Sequence, residues 1–243
     1  MKNLNVISSI RLLLLVLVTA SCQQQKEIPL FDGKTLRGWE CAEDVFRVEN
    51  GCIVGGSLEK GLEESYYLCT TEEYSDFELN LSVKLIHKNL SGNSGISFRA
   101  KRVPGSNMVA SYQADIGYID PYVVVRASDC KPADMKSPFS LWGSIIDECR
   151  EDVSRYPDPD WYPGVLLKWP ERDLIDEIVK PYDWNKVTVK AHGKEIEIKI
   201  NGITTVKFTE NLDVPGTGFI GLQAHSGEPC EVHFKDITIR EID

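Results

Sequence analysis

Residues 77–86 read FELNLSVKLI, an alternation that puts Phe77, Leu79, Leu81, Val83 and Leu85 on one side of an extended chain. Successive side chains of a strand point to opposite faces, so this run has an apolar face that needs a partner layer. The pattern recurs along the chain. EIEIKI (195–200) aligns its isoleucines, and NGI (201–203) supplies a hairpin turn. DWNKVTVKAHG (183–193), TTVKF (204–208), GFIGLQAH (218–225) and CEVHFKDITIREI (230–242) continue the series. Short, closely spaced strands of this kind predict an all-β fold, an antiparallel two-sheet β-sandwich or a barrel. Its inner face is expected to carry Leu79, Leu81, Ile96, Phe98, Ile198 and Leu222. Two segments depart from the pattern. Residues 120–140 are loop-like, with Pro121, Pro132 and Pro138. Residues 151–182 hold YPDPDWYPG and then DLIDEIVK, which predicts about two helical turns before Pro181. Both read as loop and short-helix insertions at the rim, where binding loops sit.

The N-terminus has a different character. Lys2 and Arg11 precede LLLLVLV, and the run ends in small residues before Cys22. It is too short to remain as a bilayer span and has the shape of an export signal. Ending on Thr19-Ala20-Ser21-Cys22, it resembles a bacterial lipoprotein signal, so residues 1–21 are expected to be a lipoprotein signal peptide, with Cys22 acylated, residues 22–27 a tether, and 28–243 a single domain. The expected location is the periplasm or an outer membrane, held there only through the lipid anchor. Plain secretion is the alternative. Losing residues 1–21 removes Lys2 and Arg11 and no acid, taking the net charge from -10 to -12. With no basic stripe and no phosphate loop, nucleic-acid binding is not expected. No metal or other cofactor is expected, because no His, Cys and carboxylate cluster has ligand spacing; calcium at YPDPD (156–160) is the one weak possibility. Cys41, Cys52, Cys69, Cys130, Cys149 and Cys230 leave disulfides and buried thiols both open.

Most outward strand faces carry mixed charge, as in Glu195, Glu197 and Lys199, which suits a solvated surface. Four do not. NSGISFR (93–99) presents Ser97 and Arg99, YQADI (112–116) presents Gln113 and Asp115, WGSIIDE (142–148) presents Trp142, Ser144 and Glu148, and GFIGLQAH presents Gln223 and His225. On one sheet these would gather planar hydrogen-bonding groups and one imidazole, suited to a polyhydroxylated ligand. Trp142 or the loop aromatics Trp161 and Tyr162 would stack on a sugar ring, and Ser97 and Tyr112 complete the candidate contacts. The plainer alternative is a buried polar network in which Arg99 pairs with Asp115 and His225 is merely hydrogen-bonded.

The ordered set LFDGKTLRGWE, FRVENGCIVG, YSDFELNLSVKL, NSGISFR, YQADIG, WGSIIDE, DWNKVTVKAHGKEIEIKINGI, GFIGLQAHSG and VHFKDITI resembles the 3-keto-disaccharide hydrolase family across residues 28–243. The resemblance implies an exported bacterial protein with a concanavalin-like jelly roll, acting on glycosides whose glucose unit is oxidised to a ketone at C3. Arg99 falls at the family's FR, and Gln223 and His225 at its LQ-x-H. Gln113 and Asp115 stand where many members have Glu and Gln, and Ile146 where related sequences often carry Tyr. A C3 ketone acidifies the C2 proton, so the implied chemistry is elimination of the C1 substituent followed by hydration. His225 is then the expected base and Arg99 the oxyanion partner, with Asp115 or Glu148 orienting His225 or protonating the leaving oxygen. Two alternatives keep the fold without this chemistry: a carbohydrate-binding surface lipoprotein that needs no base, and a structural lipoprotein with no sugar affinity.

Overall fold

The computed structural model describes residues 26–41, 44–88, 91–119, 139–150 and 165–242. Two antiparallel sheets face each other. The first, sheet A, contains β1 (Ile28–Pro29), β3 (Phe46–Glu49), β4 (Cys52–Ser57), β6 (Phe77–His87), β12 (Asn185–His192), β13 (Glu195–Ile200), β14 (Ile203–Thr209) and β16 (Cys230–Glu241). Its order is β14-β13-β12-β6-β16-β4-β3, with β1 added to β16. Sheet B contains β2 (Trp39–Glu40), β5 (Tyr66–Thr70), β7 (Asn93–Arg102), β8 (Val109–Ile119), β9 (Phe139–Ser140), β10 (Ile145–Glu148), β11 (Val165–Lys168) and β15 (Phe219–Ala224). Its order is β11-β10-β8-β7-β15-β5-β2, with β9 on β8.

The alternation seen in the sequence decides which side of each strand is dry. Leu79 and Leu81 from sheet A meet Ile96, Phe98 and Leu222 from sheet B, with Ile198 in the same core. Phe77 and Phe98 pack edge to face at 6.3 Å, and Phe98 stacks on Tyr112 at 5.3 Å. Burying six such side chains removes enough apolar surface to stabilise the sandwich by about 2 kcal/mol each. The NGI segment forms the β13–β14 hairpin, with Asn201 and Gly202 both at positive φ, as a tight two-residue turn between twisted strands requires. DLIDEIVK forms α1 (Arg172–Ile178), which buries Ile175 and stops short of Pro181. Cys41, Cys52, Cys69, Cys149 and Cys230 are free thiols. The segments 120–138 and 151–164, with Cys130, Trp161, Tyr162 and YPDPD, lie outside the described residues, as do Cys22 and the leader.

Candidate functional site

The side of sheet B that faces away from the core is polar. Ser97 on β7 lies opposite Gln113 on β8, Gly95 opposite Asp115, Gln113 opposite Ile146 on β10, and Tyr67 on β5 opposite Gln223 on β15. An outward strand face is ordinarily wet. Here Tyr67 and Gln113 are 1% exposed, and Asp115 and Gln223 are 3% exposed. Gln223 Nε2–H donates to the Tyr67 hydroxyl at 2.6 Å, and Gln113 Nε2–H makes a long bond of 3.4 Å to Ser97 Oγ. Two glycines make room for these groups. A Cβ on Gly95 would overlap the Gln113 side chain, and one on Gly221 would press on Ser97 Cβ and Cys69 Sγ. The glycine of NSGISFR thus lets the Gln113 amide lie flat across β7.

Several acceptors on this face have no partner. Asp115 Oδ1, Gln223 Oε1 and Ser111 Oγ are buried without a hydrogen bond among the described residues. Each such group costs about 1–3 kcal/mol when left unpaired, so a surface built from them is suited to receive hydroxyl donors from a ligand. Burial, and then the nearby charge of Glu148, push the Asp115 carboxyl well above the usual carboxylate range despite the Ile116 N–H. The same two causes raise the Tyr67 phenol well above its ordinary value. Burial, with the Glu148 charge adding to it, keeps the Asp115 carboxyl protonated and the Tyr67 phenol un-ionised at neutral pH.

His225 follows directly after the last residue of β15 and is partly exposed. Its Nδ1 lies 2.6 Å from Ser226 O, which fixes Nδ1–H as the donor and leaves the lone pair of the neutral ring on Nε2. Burial lowers its pKa against that bond, so the ring is neutral at pH 7. Ser226 N–H donates to Ser65 Oγ at 3.0 Å and holds the segment in place. The turn after Glu148 is also braced. Cys149 is at φ 62, and Arg150 donates to Asp147 and, through Nε–H at 2.7 Å, to Glu210. Tyr112 O–H donates to the same Glu210 carboxylate at 2.7 Å. Against the cost of burial, these bonds and the Leu212 N–H hold Glu210 at about 2.

Three sequence-based expectations need correction. Arg99 does not share the face of Gln113 and Gln223. It sits at φ 50 in a bulge where the β7–β8 register shifts, and a bulge breaks the two-residue period that parity counting assumes. Its guanidinium donates to Ser75 O at 3.1 Å, Gly193 O at 2.8 Å and Asp76 Oδ1 at 3.0 Å, tying sheet B to the β12–β13 turn of sheet A. The alternative pairing of Arg99 with Asp115 fails for the same reason. Trp142 is a core residue, 2% exposed, because it precedes β10 in a tight turn where Ser144 N–H donates to Leu141 O. Tyr112 is also in the core, stacked on Phe98 and bonded to Glu210. Ser97, Gln113, Asp115 and Gln223 do converge on one face, and β10 places Glu148 opposite Ser111 at its edge. Tyr67 was missed, since no sequence signal says that YYLCT pairs with GFIGLQA.

Among the described residues no group of three or more His, Cys, Asp or Glu side chains could hold a metal ion. What the face offers is a protonated carboxyl, a carboxylate at its edge and a set of amide and hydroxyl groups, with a neutral imidazole just past the end of β15.

Comparison with known proteins identifies the family. The sequence model of the family described as 3-keto-alpha-glucoside-1,2-lyase-like domain matches residues 26–240. The chain belongs to this family. No curated protein matches it. Two crystal structures of candidate glycosyl hydrolases from Parabacteroides distasonis ATCC 8503 resemble this lyase-like chain at 21% identity, with TM-scores of 0.57 and 0.58. Each covers 89% of this chain, and 94% and 100% of theirs. The exoplasmic/lumenal domain of VIP36, in its Ca2+/Man3GlcNAc-bound form, is similar at 10% identity and TM-score 0.55, over 89% of this chain and 88% of that one. These likenesses establish the jelly-roll fold of this family member, and the family match makes it a glycoside hydrolase-like domain.

Proposed function

We propose that the protein cleaves glycosides whose glucose ring carries a ketone at C3, by elimination across C1–C2 followed by addition of water. His225 Nε2 removes the C2 proton, and the electron pair passes into an enolate on the C3 oxygen. The enolate collapses to re-form the ketone, the C1–C2 double bond forms, and the C1–O bond breaks. The departing oxygen takes the proton of Asp115. Water then adds across the double bond: its hydroxyl bonds to C1, its proton returns to Asp115, and His225 gives its proton back to C2, which restores the sugar and both groups. Gln113 and Gln223 hold ring hydroxyls, and burial, helped by the Glu148 charge, favours the protonated form of Asp115 between turnovers.

The observation that carries this reading is Asp115, a buried carboxyl pushed far above its usual range and lacking a partner on Oδ1. A structural carboxylate would be paired; a general acid must hold its proton and have somewhere to give it. Incubation with an aryl 3-keto-glucoside, with aglycone release followed by absorbance, tests the reaction. Release with deuterium incorporated at C2 in D2O supports elimination, and release without it points to direct hydrolysis.

A second reading is supported by the likeness to the VIP36 sugar-bound domain: a binding protein that uses the same polar face without chemistry. Affinity for the keto-glucoside with no release and no C2 exchange would select it. We also propose export with a lipid on Cys22, from the LLLLVLV run ahead of it. Labelled palmitate incorporated into the wild-type chain and lost in Cys22→Ala would support that. No described helix is long and apolar enough to cross a membrane.

A further inference from the structure

We propose that the Tyr67 hydroxyl donates the hydrogen bond that stabilises the anionic C3 oxygen, the part that the sequence resemblance gives to Arg99. The inference rests on the elimination reading above. An enolate needs a donor fixed in place before the charge develops, in a site shielded from water. Arg99 is not available for it, since its Nε, Nη1 and Nη2 donate to Ser75, Gly193 and Asp76 between the sheets. Tyr67 is on the right face and is held from both ends. Its ring packs with Cys69, Ala100 and Val109, backed by Met108 and Phe219. Its oxygen accepts from Gln223 Nε2 at 2.6 Å, and the Gln113 amide lies within reach of the same hydroxyl. A hydroxyl that receives a hydrogen bond is the stronger donor for it. Because burial and Glu148 disfavour the phenolate, Tyr67 remains a neutral donor across the working pH range.

The packing around Tyr67 also explains a local sequence choice. Gly221 lies beside the ring, where its absent side chain leaves Ser97, Cys69 and Tyr67 Cδ1 within 3.7 Å of where a Cβ would stand. β15 thus approaches closely enough for Gln223, two residues on, to meet the phenol. In that bond the phenol oxygen accepts, so the Tyr67 O–H itself is not spent on Gln223.

The test separates proton removal from departure of the aglycone. Tyr67→Phe is expected to lower kcat on an aryl 3-keto-glucoside by about 10²- to 10³-fold, as loss of an oxyanion donor does, with KM little changed. It should slow C2 deuterium exchange in D2O by a similar factor, whereas Asp115→Asn should slow release and spare exchange. If Tyr67 only holds Gln223 in place, Tyr67→Phe will raise KM and leave exchange within about twofold of wild type, which overturns the proposal. Should the Phe variant fail to fold, 3-fluorotyrosine at position 67 keeps the shape and makes the phenol more acidic. A changed exchange rate then supports the role, and an unchanged one overturns it. Wild-type protein that shows neither exchange nor release overturns the elimination reading itself, together with this one.

Discussion

The two outward faces of the sandwich follow the same strand geometry and come to opposite chemistry. On sheet A, Glu197 pairs with Lys199 and Lys207, Arg240 with Glu78, and Arg47 with Glu49 and Glu231, all at a partly exposed surface. Such pairs contribute about 0–1 kcal/mol each and are weakened by salt. On sheet B the corresponding positions carry Ser97, Gln113, Asp115, Gln223 and Tyr67, all buried, with acceptors left unpaired. On the first face the loss of any one group costs little. The second holds groups whose desolvation stability alone would not select. Where a fold tolerates that cost, the site of its function is the natural explanation.

The largest expected effect is on His225. His225→Ala should lower kcat/KM by about 10²- to 10⁴-fold, while an equivalent change on sheet A, His233→Ala, leaves it unaltered. A base must be deprotonated to act, and burial lowers the His225 pKa from its ordinary 6.5. The acid limb of the pH–rate profile should therefore lie below 6.5; a limb above it would remove His225 as the base.

Asp115→Asn should come next, with turnover down by about 10²-fold and, at the same time, a higher melting temperature at pH 7. The sign follows from the raised pKa. Above the ordinary value of 3.8 the unfolded chain sheds this proton while the folded chain keeps it, so the wild type loses stability as pH rises from there. The Asn variant has no such loss, and the gap between the two melting curves should widen from pH 3.8 upward. A gap independent of pH would show that the Asp115 pKa is not raised in the folded protein.

Arg99→Lys should cost about 1–3 kcal/mol of stability in denaturant unfolding, because one ammonium cannot serve Ser75, Gly193 and Asp76 together. Turnover per folded molecule should not change, and a selective loss of kcat would return Arg99 to the site. Glu210 gives a smaller, pH-confined effect. Its lowered pKa contributes stability that is present above 4.5 and lost as pH falls towards about 2, so Glu210→Gln should flatten acid unfolding over that window. Lys207→Ala on the sheet A face should shift stability by no more than about 0.5 kcal/mol.

Much of the fold was legible because burial enforces a two-residue period. Leu79, Ile96, Phe98, Ile198 and Leu222 could be assigned to the core from alternation alone, and all are there. The polar face of sheet B was legible only where that period persists, at Ser97, Gln113, Asp115 and Gln223. Parity fails at Arg99, where an extra residue re-aims the side chain, and at Trp142, which belongs to a turn before its strand begins. Strand pairing is set by contacts distant in sequence, so nothing local announces that Tyr67 lies against Gln223. The acid placed at 115 and the charge at 148 were visible as residues. Their mutual influence was not, since it depends on burial and on the face they share.

The place of β16 in sheet A has a consequence for how the chain is made. This strand, at residues 230–241, lies between β6 and β4 and also receives β1, so the middle of the sheet comes from a segment made long after both of its neighbours. A ribosome-bound chain that has not yet released it holds β6 and β4 with facing edges unpaired, the kind of edge that recruits other chains. β6 and β4 therefore cannot be joined as they emerge, and closure of this sheet waits until residues 230–241 have been released. The wait is lengthened by pairings that span about 150 residues, which makes the barrier one of loop closure rather than of local propensity.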